Sequence, residues 1–109
     1  NLAEKAMTGA GLIPNLVVDC SHGNSNKDYR LQPLVTENVV RQIEEGNQSI
    51  LGIMLESHLF AGNQSSEQAR SEMQYGVSIT DACIDWDATA ELLKRCYQQL
   101  AEPLKSRLG

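Results

Sequence analysis

Two short apolar runs, each followed by polar residues, stand out along the chain of 109 residues. The first covers residues 16–20, and the second covers residues 49–55 and is followed by Glu56. Apolar runs without polar alternation are typical of strands that are buried on both faces of a parallel sheet. We therefore predict two parallel β-strands, which could not cover both of their faces by themselves.

Helical patterns surround these strands. Residues 2–10 are typical of the end of a helix that stops near Gly9 and Gly11. Residues 33–45 predict a second helix, because apolar side chains recur there at helical spacing and Gly46 stands at the position of a C-terminal cap. The predicted buried side of this helix consists of Leu34, Val35, Val39, Val40 and Ile43.

A third helix is predicted towards the end of the chain, after a segment without clear periodicity. Residues 57–86 are rich in Gly, Asn, Gln and Ser, which is typical of a functional or disordered loop. Asp87 is the expected N-cap of a helix that runs through Gln99 or beyond, until Pro103 kinks or ends it. Its expected buried side consists of Leu92, Leu93, Cys96 and Leu100.

The order helix, strand, helix, strand, loop, helix predicts an α/β fold with a right-handed βαβ unit. An isolated two-stranded sheet is marginally stable at best, so we expect these elements to belong to a larger sheet. The chain begins at Asn1, and we expect it to be a piece of a longer polypeptide.

Composition and charge narrow the classes of partner. The net charge is −5 and the nine Lys and Arg residues are scattered, so we expect no nucleic acid as a partner. The apolar runs are too short to cross a bilayer, and we expect neither a membrane partner nor a secretion signal. Three cysteines without CxxC spacing indicate reduced thiols and a cytoplasmic location. We expect Cys20 and Cys83 to be small buried residues rather than nucleophiles.

Candidate chemistry lies where the predicted strands end, because the carboxyl ends of parallel strands carry the functional groups of α/β proteins. His22 follows the first strand and Glu56 the second, and imidazole and carboxylate groups are both metal ligands. An inert, hydrogen-bonded His22 and a structural salt bridge at Glu56 are open alternatives. Asp19 and His58 are expected to be hydrogen-bonding groups beside them, and Asp81 alone would be a turn or cap residue.

Four linked segments carry a resemblance to a known family. Residues 18–27 (VDCSHGNSNK) and 52–59 (GIMLESHL) are similar to its strand-end motifs, and residues 62–65 (GNQS) and 75–84 (YGVSITDACI) are similar to its following loop. The family is that of the class I 3-deoxy-D-arabino-heptulosonate 7-phosphate (DAHP) synthases. The resemblance keeps the family's order and spacing from about Leu16 to the end of the chain.

That resemblance implies a (β/α)8 TIM barrel in which this chain supplies the last two βα units, so residues 1–109 would form an incomplete domain. It implies a parent enzyme, a 3-deoxy-7-phosphoheptulonate synthase. This transferase condenses phosphoenolpyruvate with erythrose 4-phosphate and releases phosphate in the first step of the shikimate pathway to aromatic amino acids. It also implies one divalent metal ion, commonly manganese, iron or cobalt.

Carried over residue by residue, His22, Glu56 and Asp81 match three metal ligands of the family. A fourth ligand, a cysteine on the first barrel strand, lies outside this sequence. His22 or Asp81 would also transfer protons during catalysis. Gly23 and Asn26 replace the usual Ala and Ser of the first motif, and most phosphate-binding Lys and Arg residues of the family lie on earlier strands.

Three hypotheses remain for the chain, and they differ in the activity that they predict for the isolated chain. We expect the isolated chain to be inactive and to need the remainder of the barrel, or another copy of itself, within a homo-oligomeric parent. The alternative is a stand-alone α/β module that binds a metal or self-associates without catalysis, since exposed strand edges promote association. A different barrel aldolase is a third possibility, against which the segment SITDAC at residues 78–83 argues.

Overall fold

The computed structural model describes residues 2–107 and has the predicted order of elements. Helix α1 spans Leu2–Gly9, strand β1 Leu16–Asp19, helix α2 Gln32–Glu44, strand β2 Ile50–Met54 and helix α3 Trp86–Ser106. Short 3₁₀ turns cover Gly23–Ser25, Tyr29–Leu31 and Arg70–Glu72. The predicted strands and helices are therefore confirmed, with small differences at their ends.

Strands β1 and β2 form a parallel two-stranded sheet in which Asp19 is paired with Met54. Helices α2 and α3 lie on one face of the sheet, where the core consists of Val39, Ile43 and Ile50, joined by Val18, Ile53 and Leu100. On the other face, Val17 is 68% exposed and Leu51 is 61% exposed. The α/β class is confirmed, and in the described part of the chain the second face of the sheet is open to solvent.

Helix α2 buries a more polar side than the sequence predicted. Three predicted core residues are buried as expected, namely Val39, Val40 and Ile43. Leu34, in contrast, is 59% exposed, while Gln32 and Thr36 are fully buried. The reason is helical geometry: at about 100° per residue, Gln32 and Thr36 share a side of the helix, and Leu34 points roughly 200° away from Gln32. The prediction that Leu34 is buried is wrong for this chain.

Both ends of helix α3 differ from the sequence prediction. The N-cap is Asp85, whose carboxylate accepts a hydrogen bond from the Ala88 amide at 2.7 Å, whereas Asp87 lies in the first turn. A capping oxygen must reach an amide two or three residues further on, so it belongs to the residue just before the helix. The helix also continues through Pro103 to Ser106. Proline removes only one helical hydrogen bond, and about one turn follows it here.

The apolar side of helix α3 is only partly covered. Leu92 is 1% exposed, but an apolar strip formed by Leu93, Tyr97 and Leu104 is open to solvent. The prediction that Leu93 is buried is therefore wrong here, because helix α2 covers only one side of helix α3. Among residues 2–107, neither helix α3 nor any other helix is long and apolar enough to cross a membrane.

The segment between strand β2 and helix α3 has no regular period but is ordered by specific hydrogen bonds. Isolated β-bridges pair Ser57 with Ile84, Gly62 with Cys83 and Asn63 with Ser78. The Gln64 side chain ties the middle of the segment together: its Nε2 donates to the carbonyls of Gln74 and Val77, and its Oε1 accepts from the Gln74 amide. The segment is a folded loop, and it returns to the end of the sheet.

Candidate metal centre

His22 lies in a tight turn directly after strand β1. The Asp19 carboxylate accepts hydrogen bonds from the Ser21 amide at 2.8 Å and from His22 Nδ1 at 2.7 Å. The Lys27 amide closes the turn by donating to the His22 carbonyl at 2.9 Å. A carboxylate only accepts, so the imidazole carries its proton on Nδ1 and leaves Nε2 for another partner.

Glu56 follows strand β2, and its backbone is held from both sides. Its amide donates to Gln32 Oε1 at 2.9 Å, and its carbonyl accepts from Gln32 Nε2 at 3.1 Å. The same carbonyl accepts a hydrogen bond from the Ile84 amide at 3.1 Å. The sequence did not point to Gln32, because a glutamine beside Pro33 at a helix start is most often exposed.

Asp81 reaches the same place from the folded loop. Cys83 and Gly62 exchange backbone hydrogen bonds of 2.9 and 3.1 Å. The next residue, Ile84, forms a β-bridge with Ser57. The loop is thereby joined to the chain that leaves strand β2. Asp81, three residues before Ile84, lies at the carboxyl end of the sheet as a result.

His22, Glu56 and Asp81 converge on one point. His22 Nε2 lies 2.9 Å from Glu56 Oε1 and 3.3 Å from Asp81 Oδ2. One ligand atom from each of the three residues lies within 4.8 Å of the other two. The three side chains are 36%, 24% and 44% exposed, respectively, so the cluster is open on one side. The tertiary structure thus brings together the three residues that the family resemblance had pointed to.

The donor set fits a divalent transition-metal ion. Bonds of about 2.1 Å to one ion place neighbouring ligand atoms about 3 Å apart at a right angle, close to the two short distances from His22 Nε2. The hydrogen bond to Asp19 leaves the lone pair of neutral His22 on Nε2, as a ligand requires. A mixed set of nitrogen and oxygen suits ions such as manganese or iron. These three residues could therefore hold a metal ion.

Asp19 and His22 shift each other's protonation. The hydrogen bond from His22 holds the pKa of Asp19 below its usual 3.8. The same hydrogen bond raises the pKa of His22 above 6.5, with the charges of the neighbouring carboxylates acting in the same direction. The His22 contribution to stability is complete below pH 6.5 and is lost as pH rises through the raised pKa. The Asp19 contribution is present above pH 3.8 and is lost as pH falls through the lowered pKa.

The substitution Asp19→Asn is expected to lower the pKa of His22 in the metal-free chain, because asparagine has no charge to stabilise the imidazolium. An NMR titration of the His22 ring resonances in both forms measures the shift. Asp28→Asn is the matched control, since the Asp28 carboxylate is paired with Arg30 at 2.9 Å. An unchanged His22 midpoint in Asp19→Asn would show that Asp19 does not govern this imidazole.

The remaining candidate residues have other partners. Cys20 is fully buried and Cys83 is 8% exposed, as expected for small buried residues. Burial raises the pKa of both thiols, which keeps them protonated and makes them poor metal ligands. His58 Nδ1 accepts a hydrogen bond from the Leu59 amide at 2.8 Å. A supporting role for His58 at the metal centre stays a prediction.

Known proteins resemble this chain over nearly all of its length. Residues 2–94 match the model of the DAHP synthetase I family. The chain is 62% identical over 106 residues to the Tyr-sensitive phospho-2-dehydro-3-deoxyheptonate aldolase of Escherichia coli (strain K12), covering 97% of this chain and 30% of that protein. It is 61% identical to the enzyme of the same name from Enterobacter agglomerans, covering 97% of this chain and 50% of that protein. The chain therefore spans 30% to 50% of the length of these relatives.

A solved structure agrees with the sequence match. The phospho-2-dehydro-3-deoxyheptonate aldolase from Francisella tularensis SCHU S4 superimposes with a TM-score of 0.71 at 39% sequence identity. The superposition covers 87% of this chain and 26% of that chain. Together with the family match over residues 2–94, these similarities show that the chain belongs to the DAHP synthetase I family.

Proposed function

We propose that this chain is the C-terminal part of a DAHP synthase and supplies the last two βα units of its (β/α)8 barrel. A parallel sheet of two strands with one uncovered face supports this, because a barrel of about 250 residues surrounds every strand with neighbours. The match to 26% of the solved relative supports it as well. Residues 1–109 would then be an incomplete domain.

The convergence of His22, Glu56 and Asp81 is the observation that carries the functional proposal. In the complete enzyme these residues would hold one divalent metal ion, manganese, iron or cobalt, together with a cysteine from the remainder of the barrel. Asp19 would fix the orientation of the His22 ring through the hydrogen bond to Nδ1.

In the proposed reaction the methylene carbon of phosphoenolpyruvate attacks the aldehyde carbon of erythrose 4-phosphate. Water adds at C2 of the former phosphoenolpyruvate, and phosphate leaves from the resulting hemiketal. A bound divalent ion supplies Lewis acidity that stabilises negative charge on the aldehyde oxygen as the new carbon–carbon bond forms. Asp81 or His22 is the proposed group for proton transfer beside that oxygen. For Asp81, the second carboxylate oxygen would stay available when one oxygen binds the ion. The net charge of this chain is −5. Most groups that bind the substrate phosphates would therefore lie in the remainder of the barrel.

The proposed partners follow from the incomplete sheet. The remainder of the barrel would cover the exposed residues of the second sheet face, Val17 and Leu51, and the apolar strip of helix α3. We expect the complete enzyme to be a homo-oligomer of the cytoplasm.

A hybrid enzyme tests the proposal. The segment of the Escherichia coli enzyme that aligns with this chain is replaced by this chain, which is 62% identical to it. The hybrid is expected to release phosphate from the two substrates with a kcat within about tenfold of the parent, since a tenfold loss corresponds to only about 1.4 kcal/mol. Removal of metal with a chelator should abolish the activity, and Mn²⁺ should restore it.

The control is the Escherichia coli enzyme without the aligned segment, which should be inactive. A hybrid that folds, as judged by circular dichroism, but neither takes up metal nor releases phosphate would overturn the proposed function. A folded hybrid that binds metal without catalysis would favour the alternative, a metal-binding module.

A further inference from the structure

The side chain of Gln32 pairs with the backbone of Glu56 in the way that a neighbouring strand would. The sheet ladder reaches Cys20, whose amide donates to the Met54 carbonyl at 3.0 Å. In a parallel pair, the next ladder bond would run from the Glu56 amide to the Cys20 carbonyl. Instead, the Glu56 amide donates to Gln32 Oε1 and the Glu56 carbonyl accepts from Gln32 Nε2. A primary amide replaces the missing ladder bond.

The Gln32 side of this pairing is buried, and its amide has one possible orientation. Gln32 is fully buried, and both of its hydrogen bonds to Glu56 join a side-chain amide to a backbone group. The backbone amide can only donate and the carbonyl can only accept, which determines the positions of Oε1 and Nε2. Buried amides without partners are costly, so the contact holds Gln32 and Glu56 together strongly.

Gln32 also reaches the turn that carries the histidine. The Ser21 hydroxyl donates to Gln32 Oε1 at 3.4 Å, and Ser21 is 3% exposed. Ser21 is the residue before His22. Oε1 of one side chain therefore accepts hydrogen bonds from the segments that carry two of the three proposed ligands.

We propose that Gln32 is a positioning residue of the metal centre, whose buried amide sets the spacing between His22 and Glu56. The inference rests on the proposed function, because it concerns the same three ligands. Ligand distances in a metal site tolerate deviations of about 0.2 Å. Without the Gln32 amide, the Glu56 backbone would lose both bonds to helix α2 and keep only the one from Ile84. The Glu56 carboxylate would then lose its fixed distance to His22 Nε2.

Metal binding by the hybrid enzyme tests this role. Gln32→Met keeps a similar length but removes the amide, and it is expected to raise the Kd for Co²⁺ 10- to 100-fold, as loss of groups that orient metal ligands does. The visible absorption bands of bound Co²⁺ should also change, because they report the arrangement of the ligands. Thr36→Val is the matched control: Thr36 is equally buried, but its hydroxyl donates at 2.9 Å to the backbone carbonyl of Gln32. The control should keep the Kd within about threefold.

A readout without metal separates this inference from the proposed function. Hydrogen–deuterium exchange of the metal-free hybrid, followed on a peptide that contains Glu56, should become at least about tenfold faster in Gln32→Met and stay unchanged in Thr36→Val. A hybrid without substitutions that binds no metal would refute the proposed function, and the exchange rate would then decide the role of Gln32.

The role of Gln32 is refuted if Gln32→Met lowers the melting temperature but leaves the Kd, the Co²⁺ spectrum and the exchange at Glu56 unchanged. Should Gln32→Met not fold, Ser21→Ala removes the hydroxyl contact to Gln32 Oε1, together with a long contact to Met54 Sδ at 3.9 Å. That variant should weaken Co²⁺ binding about three- to fivefold, as expected for one weak hydrogen bond. An unaltered Kd in Ser21→Ala would likewise refute the link between Gln32 and His22.

Discussion

Replacing His22 with alanine in the hybrid enzyme is expected to lower kcat about a thousandfold and to remove the bound metal. His22 Nε2 is common to both short contacts of the cluster, 2.9 Å to Glu56 Oε1 and 3.3 Å to Asp81 Oδ2. Without it, the carboxylates of Glu56 and Asp81 and the proposed cysteine would have to hold the ion without a nitrogen ligand. Lewis-acid stabilisation is worth several kcal/mol, and each 1.36 kcal/mol is a factor of ten in rate, so a loss of about three powers of ten follows.

The measurements are the metal content of the purified hybrid and its kcat at saturating substrates and Mn²⁺. Glu56→Ala and Asp81→Ala should act in the same direction as His22→Ala. Glu67→Ala is the matched control, because Glu67 is an exposed carboxylate on the same loop as Asp81. Circular dichroism shows whether each variant folds. Full metal content in a folded His22→Ala hybrid would mean that His22 is not a ligand.

The isolated chain is expected to release no detectable phosphate from phosphoenolpyruvate and erythrose 4-phosphate. Its three candidate ligands lack the cysteine that the family resemblance provides, and its basic residues are few and scattered. A (β/α)8 barrel needs about 250 residues to close, so the substrates would have no enclosed site. Metal binding by the three ligands alone should persist but be weaker than in the hybrid.

Self-association should accompany this inactivity. Val17 and Leu51 on the open face of the sheet, and the apolar strip of helix α3, leave much apolar surface in water. Burial of such surface against a second copy is favourable at about 25 cal/mol per Å². We expect dimers or larger assemblies in light scattering after size-exclusion chromatography.

Two results would contradict these expectations. Phosphate release by the purified chain that depends on both substrates and on metal would overturn the predicted inactivity. A monomer at micromolar concentration with cooperative unfolding would contradict self-association. The hybrid enzyme is the positive control, because it contains the same 109 residues joined to the remainder of the Escherichia coli enzyme.

The elements of this chain could be predicted from sequence because their signals are local. The apolar runs at residues 16–20 and 49–55 gave the two strands, and the helical spacing from Leu34 to Ile43 gave helix α2. The predictions of burial were wrong where burial depends on whether another element packs against the side chain. Leu34 and Leu93 have apolar side chains at helical spacing, but within residues 2–107 no element covers the sides on which they lie.

The residues of the candidate site also differ in whether the sequence alone indicates them. His22 and Glu56 could be nominated from the sequence, because each follows the carboxyl end of a predicted strand. Asp81 could not, since it lies in a loop without period, and only its similarity to a family motif pointed to it. Gln32 was missed altogether. Its function depends on the Glu56 backbone, 24 residues away, which no local pattern reveals.

The sequence by itself determined the α/β class, the order of elements, the family and two strand-end ligand candidates, since each follows from local periodicity or a contiguous motif. Only the tertiary structure decided that His22, Glu56 and Asp81 meet within 4.8 Å and that Asp19 turns Nε2 of His22 towards the other two. It also decided that a buried amide at Gln32 completes the ladder at Glu56. The physical reason is that such contacts join segments distant in sequence, whose geometry is set by the packing of helices α2 and α3 on the sheet.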